Sequence, residues 1–242
     1  MTWHDNIEDF GEEVQPFSTF RFECHPGLKC FGTCCATDIP LTPFDIACLR
    51  RHMAMDSHQF LSSYCQAFVD PITGFPSVLL KKGEDGTCIF SGNGECRVYE
   101  NRPSCCRYYP LAQAVENDVK GGARLTKYYL QRSAHYCEGM GRGPEWTVGA
   151  YCDENGLGPY EKANDVFLEV PFAFEMIPLN LRHDKEVQTM IYQAAFDFDR
   201  FLKKYAPSGP SMSPADDHQM IDVLTSITLN LIRRTADLKS KE

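Results

Sequence analysis

The chain of 242 residues lacks the features that most enzymes and most secreted or membrane proteins display. It begins Met1-Thr2-Trp3-His4-Asp5, with no basic segment followed by an apolar run, so no secretory signal is read there and a cytoplasmic location is the expectation. No stretch of eighteen apolar residues occurs, which predicts no membrane insertion. Lys and Arg number 24 against 33 Asp and Glu, a net charge of −9, so no basic face for nucleic acid follows. There is no P-loop, no kinase signature, no Ser/His/Asp arrangement and no acidic pair at a hydrolase spacing. Any catalysis would therefore rest on a bound cofactor. Internal repeats and low-complexity tracts are missing too.

Cysteine is abundant. There are twelve, eleven of them between Cys24 and Cys137, and none after Cys152. In a reducing compartment, clustered thiols bind metal more often than they form disulfides. The first group is Cys24-x5-Cys30-x3-Cys34-Cys35, with Pro26, Gly27 and Gly32 permitting tight turns. The second is Cys88-x7-Cys96, then Tyr99, Arg102, Pro103, Cys105, Cys106, Arg107, Tyr109 and Pro110; Cys137 follows alone. Zinc sites favour paired knuckles with two to four intervening residues, which these spacings fit poorly. Adjacent cysteines diverge at Cβ and more readily serve two metal atoms than one. That favours an iron–sulfur cluster, in which each thiolate binds its own iron. Cys48, Cys65 and Cys152 lie among apolar residues and read as packed core thiols. His25 reads as a solvated loop residue, and His135 precedes Cys137 by two positions. Arg102 and Arg107 could offset the negative charge of a thiolate-rich centre.

The patterning predicts a mainly α fold with a small β-hairpin and a loop-rich cysteine-cluster metal site. Two regions are expected: a cysteine-cluster part, 1–144, and a helical part packed on it, 145–242. A helix starts after Thr42, which is an N-cap followed by Pro43 with Asp45 at the third position. A second is expected from Asp56 to about Phe68. Residues 76–80 and 123–131 read as strands. Asn93-Gly94 between β-prone segments predicts a hairpin with Cys88 and Cys96 opposed at its foot. Residues 139–143, with three glycines, read as a loop. From Asp184 to Tyr205 the apolar residues trace one amphipathic stripe. A last helix is expected from Ser213-Pro214 to about Leu238.

These motifs resemble those of the YkgJ-type cysteine-cluster family of zinc- or iron-chelating proteins. The resemblance rests on the cysteine run ending in Cys34-Cys35, followed by Leu41-Thr42-Pro43-Phe44-Asp45-Ile46. It continues through Cys88-Ile89-Phe90, Cys96, Tyr99, Arg102-Pro103, Cys106-Arg107 and Tyr109-Pro110, and ends with Cys137 before the glycine segment. It spans roughly residues 22–160, with a wider gap between Cys24 and Cys30 than the family usually has. A flagellin lysine N-methylase is similar in the cysteine region. Carried over position by position, the resemblance implies Cys24, Cys30, Cys34, Cys35, Cys88, Cys96, Cys106 and Cys137 as metal ligands. Cys105 remains an alternative to Cys106. The expected cofactor is an iron–sulfur cluster, with the 4Fe-4S form favoured and zinc as the alternative. The function read from this is metal chelation, with redox or protein-modifying activity on a protein partner or substrate. A structural zinc protein and an S-adenosylmethionine-dependent protein methyltransferase are the alternatives.

Overall fold

The computed structural model of the chain describes residues 11–92, 95–117, 124–131, 137–205 and 217–239. Strands β1 (Gly11–Val14) and β2 (Thr19–Phe22) precede the first cysteine loop. Helix α1 (Pro43–His52) follows, started by Thr42, whose side chain accepts from the Asp45 amide while Asp45 accepts from the Thr42 amide. Helix α2 (Ser57–Tyr64) is capped in the same reciprocal way by Asp56 and Gln59. Both boundaries follow from capping chemistry. Strands β3 (Cys65–Val69) and β4 (Pro76–Leu80) form an antiparallel pair, and β5 (Ser91–Gly92) and β6 (Glu95–Cys96) a second.

The short helix α3 (Ser104–Tyr108) carries Cys105 and Cys106. Strands β7 (Leu111–Asn117) and β8 (Arg124–Gln131) join β1 in a three-stranded antiparallel sheet of order β1-β8-β7. Strand β9 (Met140–Thr147) pairs with β2. Seven helices complete the chain: α4 (Val148–Glu154), α5 (Gly158–Phe167), α6 (Glu169–Glu175), α7 (Leu179–Arg182), α8 (Lys185–Ala195), α9 (Phe198–Tyr205) and α10 (Asp217–Lys239). No helix among the described residues is long and apolar enough to cross a membrane.

Two hydrophobic cores result. The first runs from Ile39 to Ile232 and holds Ile46, Leu49, Phe60, Phe90, Phe174, Ile191 and Leu224 out of solvent. The second is smaller and joins Phe20, Phe22, Leu111, Val148, Tyr151 and Leu157. Phe20 and Phe22 both meet Tyr151 edge-on, at 5.3 and 6.0 Å between ring centroids.

Several expectations are corrected. With 49 % helix and 23 % strand the fold is mixed α/β, and "mainly α" holds only in that helix outweighs strand. Strands β1, β2 and β9, missed from sequence, find partners far along the chain, so periodicity within one segment does not reveal them; β3 and β7, also missed, pair with the next strand along. Helix α2 stops at Tyr64, because residues 65–69 pair with β4 from Cys65↔Leu80 to Val69↔Pro76. The single helix expected over 184–205 breaks between α8 and α9. There the Ser57 amide donates to Asp199 (2.7 Å), and the Asp199 amide to the Ser57 hydroxyl (3.0 Å), tying α9 to the start of α2. The hairpin exists, but its register opposes Cys96 to Ser91, and Cys88 forms an isolated bridge with Lys82. Its Asn93-Gly94 turn and the Ser213-Pro214 cap lie outside the described residues.

Residues 140–147 are strand rather than loop, and the glycines answer to a close approach. A Cβ on Gly139 would lie 1.9 Å from the Glu23 carbonyl oxygen, and Gly143, at φ +70°, would place one 2.6 Å from the Glu23 Cβ. Such overpacking costs roughly 1–3 kcal/mol. Gly139→Ala is expected to lower the unfolding free energy by about 2 kcal/mol. Gly149→Ala, in α4 with open space around it, is expected to raise it by about 0.5–1 kcal/mol. Urea midpoints of the two variants test the pair.

Candidate metal centre

After β2 the chain winds through consecutive tight turns. The Phe31 amide donates to the Leu28 carbonyl (3.0 Å), Thr33 to Cys30 (2.9 Å), Cys35 to Gly32 (3.0 Å) and Thr37 to Cys34 (3.2 Å). Gly32, at φ +85°, takes the left-handed conformation that opens the 3-10 turn Thr33–Ala36. This winding presents Cys24, Cys30, Cys34 and Cys35 from one short loop. The loop is fastened to the segment before β9. The Glu23 amide donates to the Gly139 carbonyl (3.3 Å), the Lys29 amide to the Glu138 carboxylate (3.2 Å), and the Glu138 amide to the Cys30 sulfur (3.2 Å). Cys137 adjoins that fastening.

The second group approaches from the other side of the loop. The Cys88 amide donates to the Cys35 carbonyl (2.8 Å), which joins the two groups through the backbone. Cys88 is buried, and its sulfur accepts from the Phe90 amide at 3.5 Å. Helix α3 brings Cys106, whereas the Cys105 thiol donates to the Pro40 carbonyl at 3.5 Å. The Cys105 thiol also shares a hydrogen bond with Cys106, so the two adjacent thiols lie side by side.

The anchor of α3 is Asp45, which is fully buried. One carboxylate accepts the Thr42 amide (2.8 Å) and hydroxyl (2.9 Å), and also the Ser104 amide (2.7 Å) and hydroxyl (3.1 Å). Asp45 thus caps α1 and holds the first residue of α3. Burial pushes its carboxyl above the usual range, against the opposing pull of these hydrogen bonds. Sequence reasoning found the capping box but not this second use. The only signal for it was a serine opening the Ser104-Cys105-Cys106 run.

The thiols are close enough to act on one another's charge. Burial pushes Cys24 up to about 11, reinforced by Cys137, Cys30 and Cys35 and opposed by Arg102. Burial likewise pushes Cys88 up to about 11, with Cys106, Cys35 and Cys96 adding to it. Cys96 is raised by burial and then by Cys106 and Cys35, and Cys106 is raised by its hydrogen bond with Cys105 and by burial. The mutual hydrogen bond of Cys34 and Cys35 raises Cys34 and lowers Cys35 to about 6, where Ser91 also supports the thiolate.

All twelve cysteines are free thiols. Among the described residues, no three His, Cys, Asp or Glu side chains close on one point tightly enough to hold a metal ion. Several of the eight expected ligands are electrostatic neighbours, Cys24 of Cys137, Cys30 and Cys35, and Cys88 of Cys106, Cys35 and Cys96. As a donor set they suit a thiophilic cation such as zinc or iron, whose positive charge would relieve the mutual repulsion just described.

The remaining candidates sort clearly. Cys48, Cys65 and Cys152 are buried in the two cores, as expected. His25 is an exposed loop residue whose Nδ1 accepts from the Gly27 amide at 3.1 Å. His135 lies outside the described residues. Arg107 donates to the backbone carbonyls of Glu100, Arg102 and Asn155, a structural clamp. Arg102 stacks 4.2 Å over Tyr99 and lowers the Cys24 and Cys96 thiols by its charge.

The free thiols of this region hang on loops between short antiparallel strands and a helical layer. Residues 23–138, just under half of the chain, match the family model CxxCxxCC, described as a putative zinc- or iron-chelating domain. No curated protein and no solved structure matches the chain. The partial resemblance to a flagellin lysine N-methylase finds no support.

Replacing Asp45 with Ala would leave the Thr42 and Ser104 amides without their acceptor. Each such buried orphan costs about 1–3 kcal/mol. Asp45→Ala is therefore expected to lower stability by about 2–4 kcal/mol, and Asp45→Asn by less. Urea unfolding of the metal-free protein checks this without interference from the metal.

Proposed function

We propose that the domain binds iron through cysteine thiolates as an iron–sulfur centre, with the 4Fe-4S form favoured and zinc as the competing metal. The observation carrying this reading is the Cys34–Cys35 pair. Both thiols take part in the same electrostatic neighbourhood, yet adjacent residues cannot readily share one tetrahedral ion. The thiols exceed what one zinc ion takes, whereas cluster chemistry gives each thiolate its own iron. Arg102 supplies positive charge beside Cys24 and Cys96, as a net negative centre requires.

Bound there, such a group would supply one-electron redox chemistry. The chain's own residues do the positioning: Asp45 fixes α3, Glu138 fixes Cys30, and the Cys35 carbonyl fixes Cys88. Cys24 lies at an exposed position, so the site opens toward the surface. That suits exchange of electrons or action on a protein partner more than a sealed structural role.

Anaerobic purification with iron, sulfide and zinc quantified beside the visible spectrum tests the metal. Matched iron and sulfide with brown colour is the expected result; a colourless protein with stoichiometric zinc would replace iron with zinc. Cys34→Ser and Cys106→Ser are each expected to lower metal content and visible absorption, while Cys48→Ser leaves both intact.

A further inference from the structure

Five of the eight thiols sit on one or other of the two cores. Cys88 is buried within the first core, and Cys35, Cys96 and Cys106 pack against it as partly buried neighbours. Cys137 packs instead against the second core. Cys30 goes with it, since the amide following Cys137 donates to the Cys30 sulfur, and Cys24 follows Glu23, whose amide bonds to Gly139. The adjacent Cys34 and Cys35 are the seam. The Cys35 carbonyl accepts the Cys88 amide, and Ser91 of the hairpin reaches its sulfur. Cys34, like Cys24 and Cys30, belongs to neither core.

We propose that the thiols serve two metal centres: an inner one held by Cys35, Cys88, Cys96 and Cys106, and an outer one held by Cys24, Cys30, Cys34 and Cys137. The assignment rests on the reading that these thiols ligate metal, and it is independent of which metal they take. It turns the awkward adjacency of Cys34 and Cys35 into a bridge, with each residue serving a different centre. Four thiolates in each quartet match both a tetrahedral ion and a cubane cluster. The centres also differ in setting. The inner quartet sits against the larger core, on secondary structure in part, while the outer quartet is formed by loops and includes the exposed Cys24. The outer centre is thus the more labile one and the one that faces a partner.

The test is metal content of the anaerobically purified full chain, by elemental analysis and native mass spectrometry, in two double variants. Cys88→Ser/Cys96→Ser removes inner ligands, and Cys30→Ser/Cys137→Ser removes outer ones. Each is expected to keep half of the wild-type metal and to give a discrete half-loaded species. If either folded variant loses all its metal, or keeps all of it, the two-centre assignment is overturned. Circular dichroism verifies folding. Should a double variant fail to fold, Cys34→Ser and Cys35→Ser are read in the same way, and each is expected to lose one centre only. A two-centre pattern with zinc in both would overturn the iron reading and leave the partition standing. A chain that binds no metal at all would overturn both.

Discussion

The constraint on which the structure depends is electrostatic. Thiols that lie close together in a half-buried region raise one another's cost of ionisation. Such a region resists ionisation except where hydrogen bonds favour one thiolate, as they do at Cys35. The scaffold accepts this cost at several places, with Cys24, Cys88, Cys96 and Cys106 all held above the ordinary thiol range. A chain that needed only packed sulfur would scatter it, as it scatters Cys48, Cys65 and Cys152. The contrast between those three and the clustered eight separates packing from chemistry here.

Holding the cluster together falls to backbone groups more than to side chains. The loop from Cys24 to Ala36 closes on its own turns, and its fastening to residues 137–139 runs through backbone amides that meet the Gly139 carbonyl, the Glu138 carboxylate and the Cys30 sulfur. Glycine makes that fastening possible: nothing larger fits at Gly139 beneath the Glu23 carbonyl. The β2–β9 pairing extends the same contact and places the second core directly behind the loop. Local geometry at the thiols is thus set by strands that the cysteine motif does not contain.

That division explains what the sequence revealed. The helix starts at Thr42 and Asp56 were legible because capping is a local code, written within four residues. The strand over 76–80 and the hairpin were legible from short-range pattern, as were the core cysteines. The pairings β1–β8 and β2–β9 were not, since each depends on a partner segment that no local window contains. The glycines at 139–143 had the composition of a loop, and only the approach of Glu23 shows that a strand needs them. The end of α2 failed for the same reason: Phe68 continues the helical spacing, and pairing with β4 overrides it. For the site, residue types and spacing named the thiols. Spacing alone did not show that Cys105 turns to Pro40, or that Asp45 reaches from α1 to Ser104.

Asp45 then poses a physical question. A carboxylate beside thiols adds negative charge where the chain already has too much, and Cys106 is raised in part by it. A neutral residue could cap α1. No neutral residue of that size, however, could accept four hydrogen bonds from two separate elements, and all four are made. The helix they anchor is only five residues long, too short to hold its place by its own hydrogen bonds. Precise placement of Cys106 therefore requires an external anchor, and a buried acceptor with two oxygens provides one. Arg102 and Arg107 divide the complementary work. Arg107, fully engaged by carbonyls, fixes the segment before α3, while Arg102 leaves its charge directed at Cys24 and Cys96. One acid thus anchors the site at an electrostatic cost that falls on Cys106, while the charge of Arg102 lowers Cys24 and Cys96.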